Sequence, residues 1–346
     1  MFPAQEFLRY SMKSLLLASS FAVAAGWAYV RHIQLPAGPS RLDWGACVFG
    51  HRGCRGVPGV PENTLDAFKY ALSRGAAGIE VDVRLTKDNE LAIFHDFSCN
   101  GHLKGVEATK RIDELTLLEL KSLPFQADPT GQIRLPTLEE SLLFCRENKL
   151  KMLIEIKEMR RARLCADKVL DLYRRYPDYM YEHTVIIAFN PAVLYYVRER
   201  DRNVAVGQLH SGRVLRSWMS LGNEEVPWYA RLCPTVLDWL LNYVQESINP
   251  WLSGVSLMCP RYDLFSETYK RRWHTRKIGV LLWGFSSPAQ CTREMRTPGV
   301  IVESDDQHEE FASQKPPANF DIFGDQARER EREEEEQRRR LKLGTE

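Results

Sequence analysis

Three acidic residues carry the first chemical signal in this 346-residue chain. In Ile79-Glu80-Val81-Asp82-Val83 the two-residue period of a strand sends Glu80 and Asp82 to one face and the aliphatic residues to the other. Leu153-Ile154-Glu155-Ile156-Lys157 repeats the arrangement, with Glu155 among large apolar residues. Two carboxylates about 4 Å apart at an effective dielectric near 20 repel by roughly 4 kcal/mol. Three of them on hydrophobic strands call for protonation or for a divalent cation, and an all-oxygen ligand set suits Mg²⁺ or Ca²⁺ rather than Zn²⁺. Solvated acids at strand ends would explain one such residue, but they explain a pair on one apolar strand poorly.

Two histidines flank this cluster. His51 ends a short apolar run, Val48-Phe49-Gly50, and is followed by Arg52 and Gly53. The Arg52 fork matches phosphate oxygens, and the flanking glycines let a backbone approach closely. His95 closes the run Glu90–His95, which follows the Glu80/Asp82 strand after a short polar link. A link that short cannot make a parallel crossover, so the two strands should form a hairpin with His95 opposite Val81 or Asp82. Two imidazoles beside an acidic cluster can share general acid and base work near neutral pH. Lys157 lies two residues beyond Glu155 and could hold a phosphate or be a solvated strand-end lysine. In Pro61-Glu62-Asn63-Thr64, Asn63 has N-cap chemistry for a helix carrying Leu65, Phe68 and Leu72, while Glu62 serves as a cap or a site residue.

The elements that must position these residues alternate along the chain. β-Rich runs occur at Cys47–Gly50, Ile79–Arg84, Met152–Ile156, Thr184–Phe189, Val204–Leu209, Val255–Met258, Ile278–Trp283 and Val300–Val302. Between most of them lie amphipathic stretches such as Thr64–Arg74, Leu138–Asn148, Cys165–Tyr176, Pro191–Arg200 and Leu264–Arg276. Such alternation implies an α/β fold of parallel strands with crossover helices, and eight units favour a closed (β/α)8 barrel over an open doubly wound sheet. Two segments exceed what a barrel needs: Phe97–Pro136 and Ser211–Trp251. The second holds Trp218, Trp228, Trp239 and Trp251, half of the 8 tryptophans, and either rests on a bilayer, covers a lipid-like substrate or packs as a small helical core.

The ends read differently from the body. Ser14 to Val30 carries no charge and is flanked by Arg9, Lys13, Arg31 and His32, which suits a single membrane-spanning helix better than a cleaved signal peptide. Lys and Arg on both sides leave its orientation undecided. Gln326 to Lys342 is almost wholly charged and cannot bury a face, so it is a solvated extension with no identified partner. The division is therefore a membrane anchor and linker at 1–41, a barrel at 42–325 and a charged tail at 326–346. With 47 basic and 46 acidic residues the net charge is +1, and no global field favours nucleic acid. The 8 cysteines are scattered without a CxxC pair, which signals neither a disulfide framework nor a zinc knuckle.

Taken in order, His51-Arg52-Gly53, Glu62-Asn63-Thr64, Glu80-Val81-Asp82-Val83, His95-Asp96 and Glu155-Ile156-Lys157 resemble the glycerophosphodiester phosphodiesterase family. The resemblance extends from about Val48 to Asp305. It implies a distorted TIM (β/α)8 barrel with a family insertion at Phe97–Pro136. It further implies a divalent cation on Glu80, Asp82 and Glu155, an acid–base pair in His51 and His95, and phosphate contacts from Arg52 and Lys157. Tyr176-Pro177, Arg200-Asp201-Arg202 and Leu237-Asp238-Trp239 look like the membrane-anchored animal branch, which acts on glycerophosphoinositol and glycerophospho-N-acylethanolamines. The chain departs from the pattern on its seventh strand, where Trp283-Gly284-Phe285-Ser286 replaces the usual Trp-Thr-Val-Asn and leaves Trp283 as the substrate-packing residue. Its final strand ends Glu303-Ser304-Asp305, where Thr-Asp is commoner.

The resemblance implies hydrolysis to glycerol 3-phosphate and an alcohol, with water or the substrate's own glycerol hydroxyl as nucleophile. Two alternatives stand beside it. One is lysophospholipase D activity on a lysophospholipid, releasing lysophosphatidic acid. The other is a catalytically silent barrel serving as a membrane scaffold, against which the retention of both histidines and all three acids argues.

Overall fold

The computed structural model describes residues 25–26, 28–212, 228–285, 288–297 and 299–305. Nine strands are found among them: β1 (Cys47–Gly50), β2 (Gly78–Leu85), β3 (Leu91–Ile93), β4 (Lys151–Ile156), β5 (Thr184–Ala188), β6 (Val206–His210), β7 (Leu257–Pro260), β8 (Gly279–Leu282) and β9 (Val300–Ser304). Eight pair in parallel, in the order β1-β9-β8-β7-β6-β5-β4-β2, and β1 also pairs with β2, which closes the sheet into a barrel. Each expected strand is present, with ends shifted by no more than two residues. The antiparallel β3 lies outside the closed ring as the second arm of the expected hairpin, with Val83 opposite Ile93 and Leu85 opposite Leu91. Continuing that register brings His95 level with Val81.

Alternation along the strands sorts the barrel into an outer and an inner surface. Ile79, Val81 and Val83 of β2, with Ile154 and Ile156 of β4, pack outward against the helices. Among these are α1 (Leu65–Ser73), α3 (Leu138–Glu147), α4 (Ala162–Arg175), α5 (Pro177–His183), α6 (Pro191–Arg200) and α9 (Glu267–His274); α2 (Leu117–Ser122) lies in the first insertion. Inside the barrel, Phe49, Leu153, Val185, Ile187, Leu257, Leu281 and Ile301 form a separate apolar plug. Gly78 makes room for it, since a Cβ there would lie 2.4 Å from the Phe49 ring. Residues one step further along the inward face, at the C-terminal ends of the strands, are polar. This is the end at which such barrels build their sites.

The first insertion folds on its own small core of Cys99, Leu103, Ile112, Leu120, Phe125 and Leu135, joined to Ala92 and Phe94 of the hairpin. In the second, α7 (Trp228–Tyr243) continues through a π-helical turn (Val244–Ile248) into α8 (Asn249–Ser253). Trp218 lies outside the described residues. So do residues 14–24 and 27 of the Ser14–Val30 run and the whole of the 326–346 tail. Among the described residues, no helix is long and apolar enough to cross a membrane.

The start of α1 corrects one expectation. The N-cap is Thr64, whose hydroxyl accepts the Ala67 N–H, and not Asn63. Asn63 instead adopts a left-handed φ of 58°, which frees its amide to turn inward to the site.

Candidate active site

Glu80, Asp82 and Glu155 converge at the mouth of the barrel, each offering an oxygen within 4.8 Å of the others. All three are buried. The parallel register pairs Asp82 directly with Glu155 and sets Glu80 two residues below Asp82 on the same face. Glu80 Oε2 accepts the Arg52 backbone N–H at 2.9 Å, and Asp82 Oδ2 accepts the Asn63 side-chain amide at 2.8 Å. Lys157 Nζ stands 2.7 Å from Glu155 Oε1 and 3.4 Å from Asp82 Oδ1. Glu80 Oε1 and Asp82 Oδ1 are left buried with no hydrogen bond. Orphaned anionic oxygens on a shared all-oxygen face fit a hard divalent cation.

The electrostatics of the trio are uneven. Burial raises Glu80 well above the usual carboxylate range, and repulsion from Asp82, Glu303 and Glu155 adds to it. Burial also opposes ionisation of Asp82, but Lys157, Arg52 and His95 outweigh it and hold that carboxyl well below its ordinary value. For Lys157, burial favours the neutral amine, yet Glu155, Asp82 and Glu80 together push its pKa up. The site thus holds its negative charge on Asp82 and resists placing more on Glu80.

Both histidines are bound through Nδ1 to a carboxylate. His51 follows β1, where its backbone N–H donates to Ser304 O at 2.9 Å, and its Nδ1 meets Asp305 Oδ1 at 2.7 Å. His95 Nδ1 meets Asp96 Oδ1 at 2.6 Å. Asp96 is itself gathered in: Asn100 Nδ2 donates to its second oxygen at 2.7 Å, and His102 Nε2 lies 3.2 Å from the same atom. Those bonds from His102 and His95 hold Asp96 far below the ordinary carboxylate range, while the bond to Asp96 raises His102. Arg84 secures the hairpin by donating to the carbonyls of His95 and Lys157 at 2.7–3.1 Å.

Backbone strain serves the same site. Arg52 has a φ of 54° and Gly53 one of 77°. A Cβ on Gly53 would lie 2.7 Å from the Phe68 ring, so only glycine lets this turn pass under α1. The Arg52 guanidinium is turned inward, with Nη1 donating to Glu62 Oε1 at 2.7 Å and Nε 3.3 Å from Asp82 Oδ2. Glu62 is therefore a site residue and not a cap.

Trp283 stands across the mouth, its indole N–H bonded to Cys259 O at 2.9 Å and its ring edge-on to Phe189 at 5.6 Å. The Lys157 ammonium lies 6.0 Å from the centre of the same Phe189 ring, which links this wall to the acidic cluster. Between the Gly56–Asn63 loop and the first insertion lies a cleft of about 560 Å³ onto which Glu62, His95, Asp96 and His102 open.

All eight residues singled out from the sequence face this mouth. Four more were missed. Asp305 and Asp96 appeared only as neighbours within short motifs, without a role. His102 carried no signal, because its loop has no periodicity. Glu303 is buried and sits on the inward face of β9 with Ile301; burial and repulsion from Glu155 and Asp82 outweigh the attraction of His51 and raise its pKa to about 7. The alternation Ile301, Glu303, Asp305 was the available clue to it.

A closed parallel barrel with buried carboxylates and two carboxylate-held imidazoles at its mouth is the arrangement of an enzyme equipped for acid–base chemistry. The chain belongs to the glycerophosphoryl diester phosphodiesterase family, whose profile matches residues 51–306. Among curated relatives, glycerophosphodiester phosphodiesterase 1 of Bos taurus is 28% identical over 247 residues, covering 67% of this chain and 70% of that protein. A glycerophosphodiester phosphodiesterase of Caldanaerobacter subterraneus is 32% identical over 200 residues, 55% of this chain and 79% of its own length. The fold is shared with an Oleispira antarctica phosphodiesterase solved in complex with the product sn-glycerol-3-phosphate (TM-score 0.59, 18% identity, 80% of this chain and 99% of that one).

Proposed function

We propose that this protein is a divalent-cation-dependent enzyme that hydrolyses glycerophosphodiesters, such as glycerophosphoinositol or glycerophospho-N-acylethanolamine, to glycerol 3-phosphate and an alcohol. One observation carries the reading: two imidazoles, each bound through Nδ1 to its own carboxylate, flank a buried acidic trio with orphaned oxygens. Family membership and the product held by the Oleispira enzyme support it.

In this reading Glu80, Asp82 and Glu155 hold Mg²⁺ or Ca²⁺, which supplies charge neutralisation at the phosphate and a more acidic nucleophile. His51 and His95 donate Nδ1–H hydrogen bonds to the Asp305 and Asp96 carboxylates, and each presents Nε2 to the substrate. One of them takes the proton from the attacking oxygen; the other donates a proton to the leaving alkoxide as the P–O bond breaks. Arg52 and Lys157 bring positive charge to the phosphate, and Trp283 forms an apolar wall for the substrate. The barrel at 42–325 is tethered by the 1–41 anchor and followed by the 326–346 tail.

The full-length protein, incubated with glycerophosphoinositol in Mg²⁺, in Ca²⁺ and in chelator, is assayed for glycerol 3-phosphate. Release that disappears in chelator is the expected result. Release indifferent to chelator would overturn the cation assignment, and no release from any glycerophosphodiester would overturn the reaction.

A further inference from the structure

The helix that runs from α7 through α8 is turned inside out. Its polar residues Asp238, Gln245, Asn249 and Ser253 are buried. Gln245 donates to Phe189 O at 2.7 Å and Asn249 to Gln208 Oε1 at 2.6 Å, so this polar stripe faces the barrel. The outward face is apolar: Val236 (62% exposed), Trp239 (67%), Leu240, Tyr243, Ile248 and Trp251. A surface helix in water shows the reverse pattern, and a contiguous apolar face of this length marks a surface that meets something other than water.

Its position relative to the barrel follows from two contacts. Asn242 donates to Gly212 O at 3.1 Å, and Gln245 to Phe189 O; both acceptors lie just past the C-terminal ends of their strands, β6 and β5. Residues 242–245 are therefore level with the mouth. The backbone stays right-handed helical at Tyr243, Ile248 and Asn249, so the helix continues through the π turn. Val236, six residues earlier, lies about 9 Å further along the helix axis, away from the Ser253 end that bonds to Arg198.

The N-terminal chain reaches the same end of the barrel. Pro36 O accepts from Arg198 and Ile33 O from the Tyr195 hydroxyl, both at 2.8 Å. Traced backwards, the chain climbs α6 toward Pro191, the mouth end of that helix, and Tyr29 lines a cleft there with Pro191, Ala192 and Ile248. The uncharged Ser14–Val30 sequence thus joins the fold on the mouth side. Exposed Met159 and Leu164, with the exposed guanidinium-bearing Arg160 and Arg163, extend the rim beyond β4. Apolar side chains beside cations and an uncharged leader suit one occupant, the headgroup layer of a bilayer.

We infer that the outward face from Val236 to Trp251 seats the barrel on a lipid bilayer with its catalytic mouth toward the headgroups, so that the site takes diesters held in the membrane. The substrate part of this inference rests on the phosphodiesterase reading; the seating does not.

The test uses the full-length chain in vesicles of phosphatidylcholine with a minor share of phosphatidylserine, the lipids brominated at graded depths. The fluorescence difference between wild type and Trp239→Phe isolates Trp239, and shallow bromines are expected to quench it. An unquenched Trp239 would overturn the seating, including the case where a second copy covers the face. In parallel, the triple variant Val236→Ser, Trp239→Ser, Leu240→Ser should lose about tenfold or more on vesicle-borne glycerophospho-N-acylethanolamine and stay within about twofold of wild type on soluble glycerophosphoinositol. Equal losses on both substrates, or no loss on either, would overturn the inference. Quenching of Trp239 in a protein that hydrolyses neither substrate would sustain the seating and defeat the phosphodiesterase reading.

Discussion

His51 and Asp305 are 254 residues apart in the chain, yet His51 Nδ1 and Asp305 Oδ1 are 2.7 Å apart in space. The bond joins the first and last strands of the barrel, and it gives one of the two imidazoles its orientation. His95 obtains the same support from its immediate neighbour, Asp96. The two imidazoles are thus set by unrelated means, one by barrel closure and one by a local turn.

Asp305→Asn keeps the shape of that contact and removes its charge. Loss of the carboxylate removes the acceptor that fixes the His51 ring orientation and tautomer, so Nε2 is no longer held toward the substrate. We expect kcat to fall about 10²–10³-fold with KM changed less than about threefold. A kcat within about threefold of wild type would reduce Asp305 to a strand-end contact.

Asp82→Asn tests the cation site. Asp82 is the carboxylate of the trio that Lys157, Arg52 and His95 hold ionised. Turnover should fall at least about a hundredfold, and calorimetry should record weaker Mg²⁺ binding, with the circular dichroism spectrum unchanged. Activity within about threefold of wild type would contradict the assignment.

Glu303 makes a prediction about stability. Its pKa rises from 4.5 to about 7 on folding, so the native state retains a proton that the unfolded chain gives up. Stability should therefore decline as pH climbs from 4.5 through 7, by about 3 kcal/mol for this group. Glu303→Gln should raise Tm by several degrees at pH 8 in chelator and leave it unchanged near pH 4.5. A gain of equal size at both values, in scanning calorimetry, would contradict the titration.

Removing Gln326–Glu346 should leave turnover on glycerophosphoinositol at the wild-type level. A loss of more than about tenfold would assign the charged tail a part in the enzyme.

Much of this architecture was legible in the sequence, for identifiable reasons. Buried strands with one polar face write themselves as alternation, and Ile79–Val83 and Leu153–Lys157 do so plainly. The short polar link at Leu85–Asn89 permitted only a hairpin, which placed His95. What escaped depended on tertiary contact. Asn63 and Thr64 both have capping side chains, and only the left-handed φ at Asn63, which sends its amide to Asp82, decides between them. Helix α5 follows α4 after Tyr176 alone, with Pro177 at its first position as the only sequence mark of the break. Asp305 and Glu303 lie where an inward strand face runs into a charged stretch, and the alternation with Ile301 is too short there to separate a site carboxylate from a solvated one.

The seam between β1 and β9 has a consequence for biosynthesis. Every other strand can pair as it leaves the ribosome, but the ring stays open, with the edges of β1 and β8 unprotected, until the last strand is made. That same strand brings Asp305 to His51. A nascent chain, or one clipped before residue 300, therefore lacks both a sealed sheet and the carboxylate that holds His51. On the proposed mechanism, hydrolysis would begin only once β9 has been made, and a fragment that stops short of it would not be a working catalyst.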